Sequence, residues 1–235
     1  MENPLNDMAG RRLAAQLLRF TRSGRTAFLT DVAARSGSTA SLARGTILEL
    51  GLLLENDGIA LSSEQRLHLA IRLAQAGTLE AARLLDWQEF EKFTKDSLAH
   101  FGFSSERNTR VRGGGRSWQI DVVGVKGPLI LCFDCKHWKP PNYLSKFERP
   151  AEHQRKAAAY LVSEKTTRLS QNRAYACLPI ILTLYEPPRP VHRNVVLLSV
   201  EKLPDFLDKV SPLMPELPFI HSGQDMENSI KDNPL

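Results

Sequence analysis

Residues 118–138 read WQIDVVGVKGPLILCFDCKHW, and this stretch decides the fold. Two runs rich in β-branched and aliphatic residues, at 118–125 and 129–136, flank the turn-forming Lys126-Gly127-Pro128. Runs of this length on either side of a Gly-Pro turn are typical of a β-hairpin. We therefore predict two consecutive strands, of which the second is apolar over most of its length.

Two acids and a lysine interrupt these strands. Side chains alternate along a strand, so Asp134 and Lys136 should point to one face of the sheet and Cys135 to the other. Asp121 lies in the preceding strand, from which it can reach the same face as Asp134. The hairpin thus brings a carboxylate and an ammonium group together beside a second carboxylate.

This group of charges predicts a metal site. Burying the carboxylate of Asp134 would be costly without a cation. Lys136 supplies one positive charge, but Asp121 and a carboxylate from a nearby helix would leave a negative excess, which a divalent ion would balance. Oxygen ligands without surrounding His or thiolate ligands favour Mg²⁺ or Mn²⁺ over zinc. The alternative is structural, with a salt bridge between Asp134 and Lys136 and with Asp121 as a turn residue.

Helices and further strands are predicted on both sides of the hairpin. Asp86 and Glu89 form a capping box that starts a helix at Trp87, and this helix ends at Gly102. The periodicity predicts a strand at 107–112, a helix at 150–163, strands at 176–185 and 194–199, and a helix at 204–210. Continuous apolar strands between helices predict an α/β fold whose mixed sheet is flanked by helices on both faces.

The first 77 residues predict a separate, small and mostly α domain. The pattern is helix, helix, helix, hairpin, helix, which resembles a winged helix-turn-helix. Gly37 should end the second helix and Ser38 should cap the third. Strands at 52–54 and 59–61 around an Asn56-Asp57-Gly58 turn would form the wing, and a Ser62/Gln65 capping box would start the last helix.

A winged helix-turn-helix places its third helix in the major groove of DNA. On that interpretation the exposed candidates for contact with phosphates or base edges are Arg35, Thr39, Ser41 and Arg44. Such modules also mediate protein contacts, so a dimerisation or docking role stays open.

Charge favours an anionic partner. The chain of 235 residues carries a formal net charge of +5, with a pI near 9.2. Between Ser104 and Arg173, 14 Lys and Arg face 6 Asp and Glu, so the basic surface coincides with the hairpin. No apolar run approaches the roughly 20 residues of a membrane span, and three cysteines are too few for a disulfide framework. A cytoplasmic protein is expected.

Four parts of the second half carry a resemblance to a known family. They are WQEFE at 87–91, FGF at 101–103, IDVV at 120–123 and FDCKHW at 133–138. In this order they resemble the PD-(D/E)XK nuclease superfamily, closest to its branches of Mrr-like restriction endonucleases and archaeal Holliday junction resolvases. The resemblance covers residues 79–210 and implies a restriction-endonuclease-like core. The second acid is Asp134, where Glu is commoner, which leaves the preferred ion open.

The resemblance also implies roles for individual residues. Asp121 and Asp134 would bind Mg²⁺ or Mn²⁺ together with the backbone carbonyl of Cys135, and Glu91 would bind it directly or through water. Glu89 competes with Glu91 for this role but fits the helix cap better. The catalytic set would be completed by Lys136, which would orient or deprotonate the attacking water, and by the polar helper Gln154. Contacts to DNA phosphates are expected from Arg112, Arg116, Lys139 and Arg155.

The implied function is a Mg²⁺-dependent DNA endonuclease that leaves a 5′-phosphate and a 3′-hydroxyl. The winged helix at 1–77 would position duplex DNA, the nuclease domain at 78–213 would cut it, and 214–235 would be a polar tail. Cutting both strands with one site per chain suggests a homodimer. Two alternatives are a Holliday junction resolvase and a non-catalytic winged-helix regulator whose nuclease-like domain serves dimerisation.

Overall fold

A computed structural model describes residues 3–138, 143–169 and 175–221, with side chains described for all of these except 166–169. The chain divides into two compact units, Met1–Phe90 and Glu91–Leu235. This division differs from the boundary expected after residue 77, because the helix at Thr78–Ala82 packs against the helix at Ser63–Ala74 within the first unit.

The first unit is mostly helical. Helix α6 starts in this unit at Trp87 and continues through the boundary to His100. The elements before it are α1 (Met8–Phe20), β1 (Thr26–Phe28), α2 (Leu29–Ser36), α3 (Ala40–Glu49), β2 (Gly58–Ala60), α4 (Ser63–Ala74) and α5 (Thr78–Ala82).

Local sequence signals set several of these boundaries, as predicted. Gly37 ends α2 in the left-handed conformation, with φ of 73°. Ser62 and Gln65 form the capping box of α4. Asn56 and Asp57 both take positive φ, 48° and 63°, in the turn before β2.

Two local predictions for this unit were wrong. Thr39, and not Ser38, caps α3, because its Oγ1 accepts a hydrogen bond from the amide of Leu42 at 3.2 Å. Strand β2 pairs antiparallel with β1, with Phe28 opposite Gly58, and not with residues 52–54. The strand β1 has only three residues, which is too short to produce a recognisable alternation in the sequence.

A buried arginine ties residues 78–90 to the first unit. Arg66 on α4 is 2% exposed, and its Nε and Nη2 donate to the two carboxylate oxygens of Glu89 at 2.7 and 3.1 Å. Its remaining hydrogen bonds go to Thr21 Oγ1 and the carbonyl oxygens of Leu18 and Leu84. This network holds the first turn of α6 against α4.

The second unit is α/β, as predicted from the sequence. After α6 its elements are β3 (Ser104–Gly113), β4 (Arg116–Lys126), β5 (Leu129–Lys136), α7 (Glu148–Leu169), β6 (Ala176–Thr183), β7 (Val191–His192), β8 (Val195–Ser199), α8 (Leu203–Lys209) and β9 (Ile220–His221). They form a seven-stranded mixed sheet of order β3-β4-β5-β6-β8-β7, with β9 beside β6.

The sheet changes direction at β5. Strands β3, β4 and β5 pair antiparallel through tight turns, whereas β5, β6 and β8 pair parallel. A parallel connection needs a crossover, and α7 provides it between β5 and β6. Strand β5 is therefore central, with an antiparallel neighbour on one edge and a parallel neighbour on the other.

Helices cover the sheet on both faces. Cys132 lies in a buried cluster with the alanines of α7, Ala157 to Ala159, whereas Cys135 contacts Thr94 of α6. Because residues 132 and 135 are separated by an odd number of positions on one strand, α7 and α6 lie on opposite faces.

The polar tail predicted from residue 214 onward begins with ordered structure. Ile220 and His221 form β9, which pairs antiparallel with the start of β6. Ile220 is 4% exposed, so burial of this one apolar side chain accounts for the pairing. Residues 222–235 lie outside the described part of the chain.

Within the described ranges, no helix is both long enough and apolar enough to cross a membrane.

Candidate active site at the end of the central strand

The site lies at the C-terminal end of β5. Asp134 and Lys136 lie two residues apart on this strand, and Lys136 Nζ is 2.6 Å from Asp134 Oδ1. Asp134 is 8% exposed, while Lys136 is half-buried. The alternation of the strand thus places the two charges on one face, as predicted, and they form an ion pair there.

Asp121 reaches the same place through a break in the pleat of β4. Ile120 and Val123 both belong to the cluster that faces α7, although an odd number of positions separates them. Opposite the break, Asn108 on β3 has φ of 56°. The carboxylate of Asp121 then accepts a hydrogen bond at 2.8 Å from the amide of Cys135. The Asp121 side chain therefore accepts a hydrogen bond from β5 just beyond the point where the backbone pairing of β4 with β5 ends.

The third carboxylate comes from α6. Glu91 is 4% exposed, and its Oε2 is 3.6 Å from Arg107 Nη1 on β3. Glu89, two residues earlier, exchanges capping hydrogen bonds with Asp86 and is paired with Arg66 in the first unit. Glu89 is therefore committed to the cap and to Arg66, and Glu91 is the α6 carboxylate that interacts with the acids of the sheet.

Two acids of the site have raised pKa values. The pKa of Glu91 is raised to about 7, first by burial and then by the charge of Asp121, while Arg107 offsets part of the effect. The pKa of Asp134 is also raised to about 7, mainly by burial, although Lys136 beside it acts in the opposite direction. Desolvation thus outweighs the ion pair at Asp134. A cluster of this kind favours proton or cation uptake near neutral pH.

These shifts predict a pH dependence of stability. A carboxyl whose pKa is raised in the folded protein keeps its proton where the unfolded chain has lost it, so its contribution to stability falls as pH rises from about 4.5 to about 7. Glu91→Gln mimics the protonated form at every pH. In EDTA, the melting temperature of Glu91→Gln minus that of the wild type should increase between pH 5 and pH 8.

The exposed Glu216→Gln serves as the matched control for this measurement, since its carboxyl lies outside the cluster. Its difference from the wild type should stay flat over the same range. A flat difference for Glu91→Gln as well would contradict the electrostatic coupling among the acids.

The thiol of Cys135 points to α6, on the face of the sheet opposite to Asp134 and Lys136. Its Sγ donates to Thr94 Oγ1 at 3.6 Å, and burial followed by the charge of Asp121 raises the pKa of the thiol well above its usual value. A thiol in this state is a poor metal ligand, because metal ions bind the thiolate. The backbone of Cys135 lies between Asp134 and Lys136, where its carbonyl oxygen is the donor that could serve a cation.

Gln154 lies under the end of the strand. It is fully buried on α7, and its Nε2 donates to the carbonyl oxygen of Cys132 at 2.7 Å. This bond fixes the amide, and Gln154 Oε1 is buried without a hydrogen-bond partner among the described residues. An unsatisfied buried acceptor is costly, so a water molecule or a ligand is expected to complete it.

Sequence reasoning missed three neighbours of the site. Arg107 and Thr94 contact Glu91 and Cys135, as given above. His153 packs against Trp118 with ring centroids 5.2 Å apart, and its pKa is lowered by burial and by the charges of Lys136 and Arg116. For His153, the only sequence signal was its position next to Gln154 on a helix. Arg107 and Thr94 gave no local signal.

The side chains of the site are not arranged as a preformed metal-binding site. Within the described ranges, no three or more His, Cys, Asp or Glu side chains are arranged to hold an ion as they stand. One oxygen of Asp134 faces Lys136, and one of Asp121 accepts from the Cys135 amide. The donor types are nevertheless those of a hard divalent cation, namely carboxylate and carbonyl oxygens.

The basic residues predicted around the site differ in their surroundings. Arg112 and Arg116 are exposed at the β3–β4 turn, and the guanidinium of Arg116 stacks 3.5 Å from the ring centroid of Trp118. Arg155 is half-buried on α7. Lys139 lies outside the described residues. Trp118 itself is 3% exposed, so it belongs to the core.

The four candidates in the first unit are all exposed: Arg35, Thr39, Ser41 and Arg44. Two of them already have structural roles. Thr39 caps α3, and Arg44 forms an ion pair with Asp57 of the turn before β2. The same helix exposes Leu42 and Leu48 by 55% and 56%.

The proteins to which this chain is similar carry no stated function. No family model matches the chain. A protein of Archaeoglobus fulgidus, described as uncharacterized, is 25% identical over 135 residues, which are 57% of this chain and 98% of that protein. The crystal structure of protein VC1899 from Vibrio cholerae is similar with a TM-score of 0.37 and 13% identity over 88% of this chain. The matched region spans 55% of the Vibrio protein.

Proposed function

We propose that the chain is a metal-dependent DNA endonuclease. The observation that carries the proposal is the gathering of Glu91, Asp121, Asp134 and Lys136 from three elements at one end of β5, with raised pKa values at Glu91 and Asp134. A purely structural salt bridge needs only Asp134 and Lys136. It does not account for two further acids that raise the cost of the cluster.

Mg²⁺ or Mn²⁺ fits this donor set. Asp121, Asp134 and the Cys135 carbonyl would hold the ion, with Glu91 binding directly or through water. Two features support the fit: the acids repel one another, which a dication would relieve, and Gln154 Oε1 lacks a partner among the described residues. When bound, the ion would lower the pKa of a water molecule and offset the charge on the phosphate.

Lys136 is the group suited to handle the attacking water. Its ammonium is held against Asp134 at 2.6 Å, which fixes the direction of its remaining N–H groups. These can donate to the water or to a phosphate oxygen, and Gln154 Oε1 can accept from the same water. In the reaction the water oxygen bonds to phosphorus and gives up a proton to solvent, the P–O3′ bond breaks, and the leaving O3′ takes up a proton from solvent. The products are a 3′-hydroxyl and a 5′-phosphate.

The basic surroundings suit a DNA substrate. Arg112 and Arg116 lie exposed at one end of the hairpin, and further basic residues lie on α7. Each would contact phosphates without reading sequence. In this proposal the first unit positions the duplex, and a homodimer presents one site to each strand.

Exposed leucines on α3 support a second candidate. If α3 entered a major groove, Leu42 and Leu48 would meet mostly water and polar base edges, where only a thymine methyl group offers an apolar contact. They suit a protein partner or a second copy better. The alternative is therefore a regulator that binds or assembles through the first unit and does not cut DNA.

A panel of substrates separates these candidates. We expect supercoiled plasmid to be nicked or linearised in Mg²⁺ or Mn²⁺, and EDTA to stop the reaction. Linear duplex and four-way-junction DNA of equal length are tested beside it. Cutting confined to the junction would identify a resolvase, and duplex binding without cleavage of any substrate would exclude the nuclease and favour the regulator.

A further inference from the structure

The first unit contains a cleft that lies apart from the carboxylate cluster, and Arg35, a candidate for DNA contact, is one of its lining residues. It has a volume of about 980 Å³ and lies among α1, the end of α2, the end of α4 and the segment from α5 to Leu84. One face of α1 lines it, through residues spaced at helical intervals from Met8 to Arg19. The other face of the same helix is buried in the core through Leu13, Leu17 and Leu18.

Arginines dominate the lining of this arginine cleft. Six of them line it, with Glu80 as the one acid among the lining residues. The six are Arg11, Arg12, Arg19, Arg22, Arg35 and Arg83. Like charges brought together on a concave surface repel one another and focus a positive potential inside the cleft. An anion is the ligand that relieves this repulsion.

Several of these arginines are not used by the fold. Arg11 donates to the carbonyl oxygens of Leu5 and Asn6, so it has a structural role. The side chains of Arg19, Arg22 and Arg35 make neither a hydrogen bond nor an ion pair with the residues that the structure describes. They come from α1, the turn after it and α2, and all three line the cleft.

The chemistry of the lining indicates the class of anion. A guanidinium group binds phosphate oxygens through two parallel hydrogen bonds, so several arginines around one cavity suit more than one phosphate. Ala15, Leu73 and Leu84 add an apolar part of the lining that a base or sugar could cover. The volume falls in the range of small-molecule sites, roughly 300–1,000 Å³.

We propose that the arginine cleft binds a nucleotide-sized ligand carrying two or more phosphates. This site is independent of the carboxylate cluster and of the cleavage reaction. A DNA backbone is the less favoured ligand, because the phosphates of a duplex lie on a convex surface and would match an exposed ridge of arginines better than a concave cleft.

Calorimetric titration with ATP, ADP, pyrophosphate and inorganic phosphate tests the proposal, with a short DNA duplex as the competing ligand. We expect ATP and ADP to bind more tightly than inorganic phosphate and to raise the melting temperature. Arg19→Ala and Arg35→Ala should each weaken nucleotide binding about tenfold or more, since each removes charge-assisted hydrogen bonds.

Arg25→Ala is the matched control. Arg25 is an exposed arginine of the same unit that does not line the cleft, and its variant should bind nucleotide within about twofold of the wild type. Unchanged melting temperatures of the unliganded variants would show that the site, and not folding, was altered.

Two results would overturn the proposal. One is the absence of binding by every phosphate ligand at millimolar concentration in low salt. The other is a loss of duplex binding in Arg19→Ala and Arg35→Ala while no nucleotide binds the wild type, which would assign these arginines to a DNA surface. Neither result depends on whether the protein cuts DNA.

Discussion

Asp134→Ala is expected to abolish cleavage of supercoiled plasmid in Mg²⁺, with a rate at least about 100-fold below that of the wild type. Loss of a residue that only supports a metal ligand already costs about 10–100-fold. Asp134 would be a ligand itself, and it also positions the ammonium of Lys136 at 2.6 Å. One substitution therefore removes an ion contact and the anchor of the proposed catalytic lysine. The measurement is the initial rate of nicking at saturating metal.

The same variant should fold normally. Asp134 is buried with a raised pKa, so removing its carboxylate relieves a desolvation cost and should leave the melting temperature nearly unchanged in EDTA. Asp205→Ala is the control, because Asp205 pairs with Lys209 on the exposed face of α8. Wild-type cleavage rates in a folded Asp134→Ala protein would remove the basis of the proposed mechanism.

Arg66→Ala should produce the largest loss of stability in the first unit, about 3–5 kcal/mol of the free energy of unfolding. The substitution leaves the carboxylate of Glu89 buried at 2% exposure without its cation. It also removes hydrogen bonds to Thr21 and to the carbonyl oxygens of Leu18 and Leu84. Chemical denaturation would measure the change.

Two further variants separate the charge from the packing. Arg72→Ala lies on the same helix and removes a partly buried bond to Asn3, so it should cost much less. The double variant Arg66→Met/Glu89→Met removes both charges and should recover a substantial part of the stability, because no buried charge is left unpaired. An Arg66→Ala protein as stable as Arg72→Ala would contradict the importance of the buried pair.

Features written in short stretches of sequence were predictable. The hairpin of β4 and β5, the two capping boxes and the left-handed Gly37 all depend on residues within a few positions of each other. The α/β class followed as well, because apolar strands alternate with helices. The partner of β2 was not predictable, since the three residues of β1 precede it by two helices.

In the candidate site, too, the features set by neighbouring residues were predictable and those set by distant residues were not. The spacing of Asp134 and Lys136 on one strand dictates their ion pair, so the sequence sufficed. The approach of Asp121 to the Cys135 amide depends on a pleat break opposite Asn108. The regular alternation of side chains along a strand does not predict such a break. The pairing of Glu89 with Arg66 shows why Glu91, and not Glu89, is the helix carboxylate of the site. Because 23 residues separate Arg66 from Glu89, this pairing could not be predicted from the sequence.

Helix α6 bears on how such a chain could exchange parts during evolution. Its first turn belongs to the unit that ends at Phe90, and Glu91 is the next residue. The sequence suggests a domain junction at residue 77. Recombination there would transfer Glu89 to a new protein without Arg66, so that the carboxylate of Glu89 would lack its cation. A transferable module would have to begin within a helix, where a junction also has to preserve helical register. The two units are therefore expected to be inherited together, and homologues with a different first unit should carry a neutral residue at position 89 or a new cation for it.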